Sequence, residues 1–236
     1  MEAIPHRAGS FCFPELGTQD VDGARRFYGA LLGWTTFDLV TASAAGPSAW
    51  LCHVTVDDAD RVARRALELG GRQAMAPCDL PGRGRRAAIV GPEGVTFGLW
   101  EAGGSAGPTV PDEPGAPCWY ELLIHDLAAS ERFYSQLFGW TATERAIPTV
   151  GPYTTFKKGE EGIAGMMTIR EEWGETPCLW QVYFAVNDCA DAARQAQALG
   201  GRVVAGPVHV PDLGRFAVLE DPSEAVFVAW ESANRF

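Results

Sequence analysis

The sequence predicts an α+β fold built from tandem βαβββ units, with the first half shortened. Three observations predict it. The stretch CFPELGTQDVDGARRFYGALLGW (Cys12 to Trp34) matches CWYELLIHDLAASERFYSQLFGW (Cys118 to Trp140) without a gap, 106 positions apart. Further on, VDDADRVARRALELGGR from Val56 matches VNDCADAARQAQALGGR from Val186, and GPEGVTFGLWE from Gly91 matches DPSEAVFVAWE from Asp221, both 130 positions apart. The second copy therefore carries 24 residues that the first lacks, all between its first helix and the next repeated strand. Between the copies, AGGSAGPTVPDEPGAP is rich in Gly and Pro without apolar period, which is linker composition. The modules fall at 1–103 and 116–236, with the linker at 104–115.

The elements follow in order within each half. FCFPEL and CWYELLI are short and aromatic-rich, as strands are. Asp20 and Asp126 stand where an N-cap side chain would accept a backbone N–H, and apolar residues then recur at helical spacing, as in Ala24, Phe27, Tyr28 and Leu31. Gly33 and Gly139 stop these helices. WLCHVTV and WQVYFAV lead into amphipathic helices that end at Gly70-Gly71 and Gly200-Gly201. Each half closes on two strands, RRAAIV with VTFGLWE and RFAVLE with AVFVAWE, joined by the turn formers GPEG and DPSE. The additional residues read as a hairpin turning at Lys158 to Gly162, followed by Ala164-Gly165-Met166-Met167.

Composition excludes several classes. Nineteen basic against 30 acidic side chains leave a formal charge of -11, which repels nucleic acid and anionic lipid. No apolar run is long enough to span a bilayer, and MEAIPHRAGS lacks a basic leader or apolar signal core, so a cytoplasmic protein is expected. Six cysteines without CxxC spacing read as small buried thiols. No GxGxxG opens a helix after a strand, so neither flavin nor nicotinamide is expected.

The capping Asp followed by Phe-Tyr and Gly-Trp, the doubled Gly-Gly-Arg after the second helix, and GRFAVLEDPSEAVFVAWE together resemble the vicinal oxygen chelate superfamily. This is the group of glyoxalases, bleomycin-resistance proteins and extradiol dioxygenases, and the closer likeness is to its two-module actinobacterial members. The resemblance implies two half-open glyoxalase-like barrels with the site on the concave face. In metal-dependent relatives a His on the first strand, a His or Gln on the first strand of the next unit, and a Glu on the last strand hold the ion. Carried over, these positions are Phe13, Leu51 and Gly98 in the first half and Trp119, Gln181 and Val228 in the second. Only Gln181 could ligate, so no metal and no cofactor are expected.

Strand alternation puts residues two steps away on the same face. That adds Glu15, His53 and Trp100 in the first half, and Glu121, Tyr183 and Trp230 in the second. A carboxylate among apolar walls has its pKa raised, in range for acid or base work. Glu121, Glu15, His53 and Tyr183 are thus candidate catalytic residues, with Glu15 alternatively shaping the pocket floor. Phe13, Trp100, Trp119, Tyr153, Met166, Gln181 and Trp230 are candidate ligand-binding residues, with the principal pocket in the second half. Trp50 and Trp180 should face the helices, while Trp34 and Trp140 pack behind helix-ending glycines.

Three functions stay open. One is a metal-independent cyclase, isomerase or lyase acting on an aromatic or polyketide-like metabolite. Another is a resistance protein that sequesters a drug or pathway intermediate unchanged. The third, a metal-dependent dioxygenase or hydroxylase, needs ligands the aligned positions do not hold. The expected partner is a small aromatic or polyketide-like ligand, and the chain is a monomer or homodimer, with unit pairing inside the barrels open.

Overall fold

In a computed structural model of the chain, residues 7–43, 46–103 and 113–233 are described. The first half runs β1 (Phe11–Thr18), α1 (Val21–Leu32), β2 (Val40–Ala42), β3 (Ala49–Thr55), α2 (Ala59–Glu68), β4 (Arg72–Leu80), β5 (Gly84–Val90) and β6 (Thr96–Ala102). The second runs β7 (Pro117–Ile124), α3 (Leu127–Phe138), β8 (Thr141–Ile147), β9 (Gly151–Lys158), β10 (Glu161–Thr168), β11 (Leu179–Ala185), α4 (Cys189–Ala198), β12 (Arg202–Val210), β13 (Gly214–Glu220) and β14 (Val226–Ser232). Most of the linker expected at 104–115 lies outside the described residues.

Local chemistry sets the helix ends. The Asp20 carboxylate accepts from Gly23 N and that of Asp126 from Ala129 N, each filling an orphan donor of a first turn. Gly33 and Gly139 close α1 and α3 in the left-handed conformation, at φ 71° and 69°. Asp58 and Asp188 cap α2 and α4 in the same way. Strands β4 and β12 carry little apolar alternation, because RQAMAPCDL and RVVAGPVHV hold a proline and mostly exposed side chains.

The strands make two curled half-barrel sheets, ordered β2-β1-β3-β6-β5-β4 and β12-β13-β14-β11-β7-β10-β9-β8. The first strands of the two units in each half lie side by side and antiparallel, β1 with β3 and β7 with β11. Units therefore pair within a half. β2 lies parallel beside β1 as β10 lies beside β7, so the β8–β9 hairpin is what the shorter sheet lacks.

One face of both sheets is buried with the helices in a single core shared by the halves. There Phe11 stacks on Tyr120 with ring centroids 4.3 Å apart, and α1 packs on α4 as α2 packs on α3. Tyr28 donates to Asp221 Oδ2 at 3.0 Å, tying α1 to the β13–β14 turn. Trp34, Trp50, Trp140 and Trp180 all pack into this core, as expected. The opposite faces carry two smaller clusters, one around Phe13 and Trp100, the other around Tyr153 and Met167.

All six cysteines are free thiols. Burial holds for Cys12, Cys52 and Cys189, whereas Cys118 is exposed and Cys78 and Cys178 are partly so. No described helix is long and apolar enough to cross a membrane.

Candidate functional site

The alternation of β7 and β11 divides their side chains cleanly. Tyr120, Leu122, Ile124, Trp180, Val182 and Phe184 enter the shared core. Trp119, Glu121, Gln181 and Tyr183 are left for the concave face, where Glu121 lies opposite Gln181 and Trp119 opposite Tyr183. The Tyr183 hydroxyl donates to Glu121 Oε1 at 2.8 Å. Tyr153, from the added hairpin, places a second hydroxyl on the same carboxyl. It also accepts from Trp119 Nε1 at 2.9 Å. Tyr153 reaches this point across Gly165, where any Cβ would collide with its hydroxyl.

Glu121 is 5% exposed and has no cationic partner among its hydrogen bonds. Burial raises its pKa above the usual carboxylate range, and the hydrogen bonds from Tyr183 and Tyr153 only partly offset this. Burial, with the Glu121 charge next, holds the Tyr183 phenol well above its ordinary value, so it remains a donor. Gln181 is buried beside them, and Trp230 lies with its ring 6.3 Å from that of Tyr183. The group is a protonatable carboxyl held by neutral donors among aromatic walls.

The first half builds a different arrangement at the matching positions. Glu15 meets Arg86 Nη1 at 3.1 and 3.2 Å, through both carboxylate oxygens. His53 Nε2 stands 3.6 Å from Glu15 Oε2, just beyond hydrogen-bonding distance. The imidazole is fully buried, stacks on Phe13 at 4.6 Å, and lies over Gly98, where a Cβ would strike the ring. Desolvation pushes its pKa down to about 4, with the Arg86 charge adding to the fall and the Glu15 charge opposing it. His53 is therefore neutral at neutral pH, beside an ion pair. Trp100 packs edge-on to Phe13 at 5.3 Å and closes this end.

The sequence-predicted residues thus come together as two groups, Phe13, Glu15, His53 and Trp100 in one half and Trp119, Glu121, Tyr153, Gln181, Tyr183 and Trp230 in the other. Met166 is the exception. It pairs with Leu122 on β7 and is 1% exposed in the shared core, whereas Met167 lies on the Tyr153 side. With a period of two, Met167 rather than Met166 falls on the Tyr153 side. Arg86 was missed, although the repeat aligns it with Phe216 across RRAAIV and RFAVLE.

A divalent ion, which the family resemblance brings into question, does not fit either group. In the first half the Arg86 guanidinium already occupies both oxygens of Glu15, and a second cation there would be repelled. In the second half Glu121 is surrounded by phenols and Gln181 rather than by His or further carboxylates. Among the described residues, the cluster of ligand-type side chains is Glu93, His125 and Cys178, outside both groups.

Comparison with known proteins agrees with this architecture. Residues 118–228 match the family model described as Glyoxalase/Bleomycin resistance protein/Dioxygenase superfamily. The protein named "Putative glyoxylase CFP32" of Mycobacterium tuberculosis is 32% identical over 248 residues, covering 94% of each chain. The anthracycline biosynthesis protein DnrV of Streptomyces peucetius is 38% identical over 129 residues, covering 50% of this chain and 47% of its own. Among solved structures, the 2,3-dioxygenase LapB from Pseudomonas sp. KL28 superposes with a TM-score of 0.67 at 12% identity, covering 98% of this chain and 96% of that one. The Mn(II)-bound glyoxalase from Novosphingobium aromaticivorans gives a TM-score of 0.63 at 17% identity, over 97% and 83% of the two chains. At these identities the structural likeness speaks for the fold alone.

Proposed function

The chain belongs to the glyoxalase/bleomycin resistance protein/dioxygenase superfamily, and from that premise we propose that its second half binds a small aromatic or polyketide-like metabolite and moves a proton on it through Glu121, without a metal. The observation that carries the proposal is the buried Glu121 carboxyl, its pKa raised, held between the Tyr183 and Tyr153 hydroxyls. The relatives named for anthracycline biosynthesis support an aromatic polyketide ligand and a role in secondary metabolism. Trp119 and Trp230, both half-buried, supply planar walls for such a ligand.

The ionised form of Glu121 takes a proton from a C–H beside a ligand carbonyl, and the bonding pair moves into an enolate. The protonated Glu121 then returns the proton at a different carbon. The net change is an isomerisation that needs no oxidant, and a following ring closure or elimination would draw on the same enolate. A raised pKa suits this cycle because it makes the carboxylate a stronger base and lets the same group hold the proton until it is returned. Tyr183 and Tyr153 fix the carboxyl and remain protonated throughout.

A second reading, sequestration without chemistry, is favoured by the same hydrogen bonds, since a carboxyl held by two phenols also presents a fixed polar anchor. One experiment separates the two. The protein is incubated in deuterated water with a hydroxylated anthraquinone carrying a β-keto ester side chain, and binding is followed by tryptophan fluorescence. Deuterium entering the acidic C–H faster than in buffer, and no longer doing so in Glu121→Gln while quenching persists, supports proton transfer. Quenching with exchange no faster than in buffer supports sequestration. Exchange unaffected by Glu121→Gln contradicts the catalytic proposal.

A further inference from the structure

Glu93 lies in the turn between β5 and β6, His125 in the loop entering α3, and Cys178 just ahead of β11. They bring a carboxylate oxygen, an imidazole nitrogen and a thiol sulfur within 4.8 Å of one another. We infer that these three residues form a zinc site at a seam between the two halves. It has no part in either concave group.

The donor set is that of zinc: one soft sulfur, one imidazole and one carboxylate, with a water completing a tetrahedron. Bonds of about 2.0 to 2.3 Å put neighbouring tetrahedral ligands roughly 3.5 Å apart. The present spacing therefore closes by about an ångström of movement, which the exposed His125 and Glu93 side chains can supply. Glu93 is already aimed. Its Oε2 accepts from His125 N at 2.9 Å and from Asp126 N at 2.8 Å, leaving Oε1 without a hydrogen bond among the described residues and fixing the carboxylate beside the imidazole. Zinc binding at Cys178 would displace the thiol proton. A thiolate, a carboxylate and a neutral imidazole balance the charge of one dication, in a chain whose formal charge is -11.

The repeat supplies an internal control. The positions matching His125, Cys178 and Glu93 in the other copy are Gln19, Ser48 and Ser223, which form no such set. There Gln19 Nε2 donates to Gly46 O and Ser48 Oγ to Thr18 Oγ1, ordinary loop hydrogen bonds. The three ligand types therefore meet at this seam, and none of the three matching positions in the other copy carries one. Bound zinc would link a first-half turn to two second-half segments, and so stabilise the folded chain by mass action.

The test uses the full chain, stripped of metal with a chelator and titrated with Co(II), then Zn(II). One equivalent of cobalt should produce an intense thiolate-to-metal band and the visible bands of a tetrahedral ion, both displaced by one equivalent of zinc. Cys178→Ser should abolish the thiolate band. His125→Gln, at an exposed position, should keep the fold and weaken zinc by about tenfold or more. Zinc should also raise the unfolding midpoint of the unmodified chain and not that of His125→Gln. A thiolate band of equal strength in Cys178→Ser would put the metal on another thiol and overturn the assignment. Absence of the band overturns it too, as does zinc affinity unchanged in His125→Gln, and the latter decides the matter even if Cys178→Ser fails to fold.

Discussion

The two halves place a glutamate at the same point of the same strand and surround it with opposite chemistry. Glu15 meets a guanidinium from Arg86, with a neutral His53 alongside. Glu121 takes its hydrogen bonds from phenols, and the position matching Arg86 holds Phe216. One strand position thus separates an ion pair from a protonatable acid, and the proposed chemical role of Glu121 rests on that contrast. The β8–β9 hairpin deepens the difference, since it delivers Tyr153 to Glu121 and has no counterpart among the described residues of the first half.

The largest expected effect is on chemistry. Glu121→Gln should lower proton exchange by about 10²- to 10⁴-fold, while Glu15→Gln should leave it near the unmodified rate, as deuterium uptake would show. Exchanging the partners comes next. Phe216→Arg should lower the Glu121 pKa by about one to three units, and Arg86→Met should destabilise the fold by about 1 to 3 kcal/mol by leaving Glu15 without its cation. Carboxyl titration reads the first and denaturant unfolding the second. An unchanged Glu121 titration in Phe216→Arg would break the comparison.

Stability against pH sharpens it further. His53 titrates at about 4 when folded against 6.5 in a free chain. Its contribution is complete above 6.5 and is lost as pH falls towards about 4, because the unfolded chain takes the proton first. Glu121 works in the other direction. Its raised pKa means that stability present below the ordinary carboxylate value is lost as pH rises through the folded value. Each slope is at most about 1.4 kcal/mol per pH unit. His53→Gln should flatten the rising limb and Glu121→Gln the falling one, measured by urea unfolding across pH. The smallest effect is that of Tyr183→Phe, about 1 kcal/mol from one lost hydrogen bond, accompanied by a further rise in the Glu121 pKa.

Much of this was legible in the sequence, for reasons that local chemistry explains. The capped helices were readable because Asp20, Asp126, Gly33 and Gly139 act within a few residues of themselves. Glu15, His53, Glu121 and Tyr183 were placed by counting in twos along strands whose other face is apolar. Met166 came from its apolar Met-rich run rather than from such a count, and the face it takes is set by the pairing of β10 with β7, a contact distant in sequence. Arg86 escaped because its role depends on reaching Glu15 across two intervening strands, β6 and β3. The edge strands β4 and β12, broken by proline and largely solvent-facing, carried too little apolar pattern to be seen.

The most direct test of the account is the titration of the Glu121 carboxyl itself, by carbon-detected NMR of glutamate-labelled protein compared with the same spectrum of Glu121→Gln. The account predicts that the signal lost in the variant keeps its proton at a pH where an ordinary glutamate has released it. A Glu121 signal that titrates in the ordinary carboxylate range or below it would contradict the account, and with it the contrast between the two halves.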